Sequence, residues 1–212
     1  MFTILPIKGY IDQIDGFFCD GIHAGLKPNG NNDLGFIYTK EACTVAAIFT
    51  ENRFQAAPLK HFLAYEEGFK TNFVLINSKN ANALTGRKGI EDINTLFSKL
   101  NFDLINPIMS STGVIGNRLP IEKLVTGALK FDLTAKSGEN LSRAIMTTDA
   151  YPKTCLYEVK LEDGSSFKIG AVAKGAGMIN PNLATMLCFI CTDADIPYKD
   201  IKEALNKNKE TT

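Results

Sequence analysis

The 212-residue sequence has no excess of either charge. Lys and Arg together number 23, and so do Asp and Glu. No broad basic field is available for nucleic acid, and no charged tail marks a docking segment. The apolar runs fall far short of the ~20 residues that cross a bilayer as a helix, so no membrane partner is expected. The opening MFTILPIKGY is broken by Pro6 and lacks a cationic region ahead of its apolar run, which is not the pattern of a secretory leader. Five cysteines at scattered positions make no disulfide framework, so the expected setting is reduced and cytoplasmic.

Histidine is scarce. A Ser-His-Asp or Cys-His site would have to use His23 or His61. His61, in PLKHFLAYEEG, reads as part of a surface helix or turn, and His23 lies in the glycine-rich CDGIHAGLKPNG. Neither has a recognisable catalytic neighbourhood, and clustered His and Cys for a metal are missing too. Cys188 and Cys191 form a C-x-x-C, which could be a redox pair or half a zinc site. No second pair completes a metal site, and MLCFICTDA reads as a buried strand, so both are expected in the core. The glycine-rich stretches GIHAGLKPNG, STGVIG and KGAG fit neither nucleotide-binding fingerprint. Thr112-Gly113 could still bring main-chain N–H groups close to an oxyanion.

What is present is ordinary globular composition, 45% hydrophobic and 22% charged, enough for a sizeable core. GFIYTK and CTVAAIFT (43–50) read as strands joined by a tight TKEA connection, and NFVLINS (72–78) reads as another strand. GIEDINTLFSKL and LPIEKLVTGALKF carry apolar residues at helical spacing, the second with Pro120 near its first turn. LYEVKLEDGSSFKIGAVAKG alternates on both sides of Asp163-Gly164 and predicts a hairpin. DIPYKDIKEALNKNKETT predicts a helix with Ile201, Ala204 and Leu205 inward. Helices and strands mix throughout, so the fold class is α/β, mixed with α+β. No internal repeat or linker divides the chain.

The stretch KGAGMINPNLATML (174–187) holds no His, Asp or Glu. One nucleophile needs none of these. A threonine exposed as a new N-terminus can use its own α-amino group as base, with a pKa of about 7.7–8.0. Base and nucleophile then sit on one residue. Ala184-Thr185 suits such a cut, because alanine leaves the scissile carbonyl unhindered.

The surrounding residues are far more specific than that dipeptide. KGAGMINPNLATMLCFICTDA resembles the self-cleavage segment of the ornithine acetyltransferase (ArgJ) family. GIHAGLKPNGNNDLGFIY, FTENRFQAAP, NSKNANALTG, SSTGVIG and AIMTTDAYPK resemble further family blocks in the family's order, from about Gly21 to Asp195. The resemblance implies a layered sheet-and-helix fold with an N-terminal-nucleophile site. It implies an alpha-chain region over 1–184 and a beta-chain region that starts at 185 and is cut short at 212. Self-cleavage between Ala184 and Thr185 would free Thr185 to carry acetyl from N-acetylornithine to glutamate. Some members of the family also accept acetyl-CoA as donor, and no bound cofactor is implied. Thr112, through its hydroxyl, and Gly113, through its N–H, would form the oxyanion hole. Lys174 matches a substrate-binding lysine, and a threonine of TTD, Thr148 first and Thr147 second, a further ligand. The implied partner is the longer second-chain segment, in an alpha/beta heteromer.

The sequence departs from the family pattern in three places. Lys79 and Leu84 stand where glycine and cysteine are expected, and Ala150 where threonine is usual. Two alternatives stay open: an amidohydrolase or aminopeptidase of the same nucleophile type, and an inactive fragment that needs its second half.

Overall fold

We describe residues 2–176 and 186–209 from a computed structural model. The chain runs β1 (Phe2–Pro6), β2 (Phe17–Ile22), β3 (Leu34–Thr44), α1 (Ala57–Phe62), β4 (Lys70–Asn77), α2 (Gly86–Ser98), β5 (Ile108–Ser111), α3 (Ile121–Ala128), α4 (Gly138–Ala144), β6 (Lys153–Leu161), β7 (Ser166–Lys174), β8 (Leu187–Thr192) and α5 (Tyr198–Asn208). The mixed α/β class holds, in layers.

Two four-stranded sheets form the frame, in the orders β1-β6-β7-β8 and β2-β3-β4-β5. The first is antiparallel throughout; the second is antiparallel except for the parallel β4–β5 pair. The period-two alternation of the hairpin decides which way the first sheet faces. Leu156, Gly170, Val172 and Lys174 are buried on one face of β6 and β7, toward the second sheet. The predicted turn is in place, with Gly164 at φ +86 and the Gly164 N–H donating to Leu161 O.

Each face of the second sheet has its own core. Phe36, Phe73 and Leu75 face α2 and α3, where Ile93, Leu96, Leu124 and Val125 close the larger cluster. The opposite face offers Cys19, Ile37 and Ile76 to Leu156, Val172 and Cys191 of the first sheet, with Leu141 and Ile145 of the α4 region between them. A facing pair of glycines seats α4. Gly21 and Gly35 are Cα partners in the β2–β3 ladder. A Cβ on Gly21 would stand 2.4 Å from Asn140 O, and one on Gly35 2.7 Å from a Leu141 methyl.

Several expectations need correction. Residues 35–44 form one strand, not the first arm of a hairpin. TKEA lies inside β3, where the pairing register shifts between Tyr38 and Cys43, and 45–50 form no strand. The bulge absorbs the extra residues that the sequence pattern assigns to a turn. His61 is buried, not on the surface. It packs against Tyr65 and Phe97, and burial lowers its pKa, opposed by a hydrogen bond with Asn94. Cys188 is exposed and only Cys191 is buried, because β8 is an edge strand whose Cys188 and Ile190 point away from the second sheet. In α5 no residue is fully buried: Ile201 and Leu205 are half-covered and Ala204 is exposed. Among the described residues, no helix is long and apolar enough to cross a membrane.

Asn140 O is main chain, so it cannot swing away from a new methyl as a flexible side chain would. Gly21→Ala should therefore lower stability by about 2 kcal/mol. Chemical unfolding of the two proteins measures the difference, and an unchanged midpoint would show that α4 does not depend on this contact.

Candidate active site

The two sheets meet at a point that joins two sequence-distant residues. Lys174 ends β7 and is only 3% exposed. Its Nζ donates to Thr112 Oγ1 at 3.1 Å. Thr112 follows β5 directly, and its N–H is fixed by Asn77 O at 3.0 Å. The expected oxyanion threonine and the expected substrate lysine are thus in direct contact.

Gly113 comes next, at φ +136, a conformation that side-chain-bearing residues rarely adopt. A Cβ there would also lie 2.2 Å from the main-chain carbon of Lys79. Among the described residues its N–H has no acceptor. Thr112 accepts a bond from a lysine ammonium, so its own O–H remains to donate. A free N–H beside that hydroxyl suits an oxyanion.

Gly113 lines a cleft of about 760 Å³, within the size range of small-molecule sites. Thr147, Thr148 and Asp149 line it as well, as does the loop from Lys27 to Asn32. Thr147 is half-buried and Thr148 exposed; both lie in the connection after α4. Gly113, Thr147 and Thr148 line the cleft, Thr112 directly precedes Gly113, and Lys174 joins them through Thr112, so five of the seven expected site residues gather at one place. Ala184 and Thr185 lie outside the described residues.

Asp149 went unnoticed in the sequence, yet it organises this corner. Its carboxylate accepts from Lys153 Nζ (2.8 Å), Gly175 N (2.8 Å) and Thr147 N (3.1 Å). It ties the TTD loop to the residue after Lys174. Burial alone would raise its pKa, but the Lys153 ammonium and the two main-chain donors outweigh it and hold the group at about 2. Burial lowers the pKa of Lys174; the Asp149 charge opposes that shift and Lys153 adds to it.

Asp33, also unnoticed, is fully buried and receives the N–H groups of Ala24, Leu26 and Lys27 at 2.7–2.8 Å. It shapes the loop from Lys27 to Asn32 that lines the cleft. His23 lies 3.0 Å from the same carboxylate. Its only other described bond is to Asn31 O, so the glycine-rich loop uses this histidine for its own structure. The TTD string could have pointed to Asp149, since a short acidic residue beside two threonines is a common loop-closing signal. Lys27 carries no such signal, because its place depends on the fold.

Fold and cleft together define a layered two-sheet α/β protein whose polar groups suit acyl chemistry without histidine. A sequence profile of the ArgJ family matches residues 18–212. The chain is 52% identical over 215 residues to the arginine biosynthesis bifunctional protein ArgJ of Wolinella succinogenes, covering 100% of this chain and 54% of that protein. It is 38% identical over 207 residues to the glutamate N-acetyltransferase of Methanothermobacter thermautotrophicus, covering 94% of this chain and 50% of that one. Among solved structures, the arginine biosynthesis bifunctional protein ArgJ of Bacillus halodurans superposes with a TM-score of 0.77 at 33% identity, over 88% of this chain and 99% of that chain. The ornithine acetyltransferase of Mycobacterium tuberculosis, complexed with ornithine, gives 0.70 at 29%, over 87% and 100%. The chain belongs to the ArgJ family. It spans about half the length of the curated relatives it matches.

The Asp149 carboxyl is easier to ionise in the folded chain, at about 2, than at its ordinary 3.8. Its stabilising effect is therefore complete above the unfolded value and is lost as pH falls through the folded one, and it amounts to about 2 kcal/mol. Asp149→Asn should cost about that much at pH 7 and clearly less at pH 2.5, by urea unfolding. An equal cost at both pH values would show that the charge is not what stabilises this corner.

Proposed function

We propose that the chain is the nucleophile-bearing half of an ornithine acetyltransferase, which moves acetyl from N-acetylornithine to glutamate through Thr185. The observation that carries this reading is the Lys174–Thr112 bond at 3.1 Å, beside a Gly113 N–H that has no acceptor among the described residues. Substrate lysine and oxyanion donors, far apart in sequence, meet where Gly113 enters the cleft wall. In the sequence Thr185 stands two positions before Leu187, the residue that pairs with Lys174 across the β7–β8 ladder.

The reaction starts with a cut between Ala184 and Thr185, where the threonine hydroxyl attacks the alanine carbonyl and water releases the ester. The new α-amino group then takes the proton from the Thr185 hydroxyl as it attacks the acetyl carbonyl of N-acetylornithine. The Thr112 hydroxyl and Gly113 N–H receive the developing negative charge. The intermediate collapses to acetyl-Thr185, and the proton leaves with the ornithine amine. The glutamate amine attacks the ester in turn, giving N-acetylglutamate and free Thr185. Lys174 pairs with a substrate carboxylate, and Thr148 or Thr147 holds the substrate from the opposite side. Acetyl-CoA can replace the first donor in the same scheme.

Chain lengths support the cut. The curated relatives are nearly twice as long as this chain, yet the two solved chains are used up by 88% and 87% of it. The regions 1–184 and 185 onward then stand as two chains, and the second half that the relatives carry is the partner in a heteromer. The five free thiols suit a reducing compartment such as the cytoplasm.

Mass spectrometry of the purified chain should find a new N-terminus at Thr185, and Thr185→Ala should abolish both cleavage and acetyl transfer. Transfer that survives Thr185→Ala would end the nucleophile assignment. Release of acetate at the same rate with and without glutamate would make the protein a hydrolase instead.

A further inference from the structure

The oxyanion donors lie past the end of β5, so the ladder that fixes Ile108–Ser111 does not by itself fix them. They rest on the segment that follows β4. Thr112 N–H donates to Asn77 O and Val114 N–H to Lys79 O, each at 3.0 Å. In return, Ala81 N–H donates to Val114 O and Gly116 N–H to Ala83 O, each at 2.9 Å. Gly113 sits between these bonds, so close to the Lys79 main chain that no side chain fits. The aim of its N–H is therefore set by the shape of residues 77–83.

That segment leaves β4 as neither helix nor regular strand, and its main chain is strained. Among the described residues, four that are not glycine have positive φ, and three of them fall here: Lys79 at +76, Asn82 at +46 and Leu84 at +57. Local preference does not select such a path, so the surroundings must impose it. Three asparagine side chains do so.

Asn77 stands at the root of the segment and is fully buried. Its Nδ2 donates to Ser78 O at 3.1 Å and to Asn80 O at 2.8 Å. Both partners are carbonyl oxygens, so only the nitrogen end of the amide can face them. Asn80 Oδ1 then accepts the Asn82 N–H at 2.8 Å, and Asn82 Nδ2 donates to Gly89 O at 3.0 Å, which ties the segment to α2. The oxygen end of the Asn77 amide is left over. Its Oδ1 is buried with no hydrogen-bond partner among the described residues. Ser111, its partner in the β4–β5 ladder, has its hydroxyl buried and unpartnered too. Phe73 and Leu75, two and four positions back on β4, put apolar side chains into the larger core. An apolar residue at 77 would avoid the cost of a stranded amide oxygen. What the asparagine adds, and an apolar residue could not, is the pair of donations that bends the chain.

We propose that Asn77 is a positioning residue for the oxyanion hole: its amide folds the turn at 78–80, and that turn aims the Gly113 N–H and the Thr112 hydroxyl. The inference rests on the proposed reaction for the use of those two donors; the mould itself does not depend on it. An oxyanion donor must point at the place where charge develops, and misdirection weakens it steeply. Loss of the Asn77 amide would leave Lys174 and the TTD threonines on their own elements and turn the Gly113 N–H away. The penalty then falls on the charged intermediate and spares the bound ground state.

Amide hydrogen exchange on the full chain tests the mould. In the wild type, Ala81 and Val114 should already exchange slowly; free exchange there would overturn the proposal without any variant. Asn77→Asp keeps the shape and loses both donors. It should speed exchange at Ala81 and Val114 about tenfold or more, with Leu96 in α2 and Val172 in β7 unchanged. Asn77→Ser, uncharged, should give the same pattern and stands in if the aspartate does not fold. Unchanged rates at Ala81 and Val114 would overturn the mould, and so would a rise by one factor at all four amides, which marks general loss of stability. In acetyl transfer, either variant should lower kcat about tenfold and keep KM. A raised KM with kcat kept would refute the positioning role. Wild-type chain that transfers no acetyl to glutamate counts against the reaction alone, and the exchange rates then decide on Asn77.

Discussion

Everything at the cleft depends on one hydrogen bond between the two sheets, from Lys174 Nζ to Thr112 Oγ1. Each residue ends or follows a strand that the rest of the fold fixes. β7 is a central strand of the first sheet, and β5 is held at the edge of the second by its parallel pairing with β4. The apolar side chains between the sheets set their separation, and the glycine pair under α4 sets how closely that helix can seat. A change in either would move the lysine relative to the threonine. Positioning by strands rather than loops is what allows a contact of this kind to hold its geometry.

A lysine ammonium that is 3% exposed would be costly alone. The protein offsets this through Asp149, whose carboxylate is itself buried and paired with Lys153. The arrangement is a cation–anion–cation series, with Lys174 at the inner end. Asp149 also takes the Gly175 N–H, so the same carboxylate that supports the Lys174 charge anchors the chain as it leaves β7. Electrostatics and chain path are therefore coupled at this corner, and neither can be altered separately.

The parts of the fold that local pattern determines were legible in the sequence. α2, α3 and the β6–β7 hairpin follow from helical spacing, alternation and an Asp-Gly turn, because each buries one face against a layer. The misreadings share a physical origin. A bulge inside β3 looks like a turn in sequence, since both interrupt alternation. An edge strand such as β8 looks like a central one, since only the neighbouring strands reveal which face is covered. His61 looks like a surface residue beside Lys60 and Glu66, but a helix shows its faces only in three dimensions. At the site, the glycine-rich STGVIG by itself pointed to Thr112 and Gly113 as oxyanion donors, whereas Lys174 and the TTD threonines were legible through resemblance alone. Their spacing along the chain gives no hint that they meet. Asp149, Asp33 and Lys27 escaped notice because their importance comes from what the fold places next to them.

The scarcity of histidine then has a structural counterpart. A histidine-based site needs a base whose pKa lies near neutrality and a third group to orient it. Here the charged group nearest the oxyanion donors is a lysine, which stays a donor and cannot accept a proton while it carries its charge. Its contact with Thr112 Oγ1 uses the acceptor side of the hydroxyl and leaves the proton pointing elsewhere. A threonine hydroxyl polarised by an ammonium is a better hydrogen-bond donor than one in water. The Lys174–Thr112 pair is thus suited to stabilising negative charge and unsuited to removing a proton. The proton acceptor must come from another group, and in the proposed reaction the amine of the nucleophile itself meets that need.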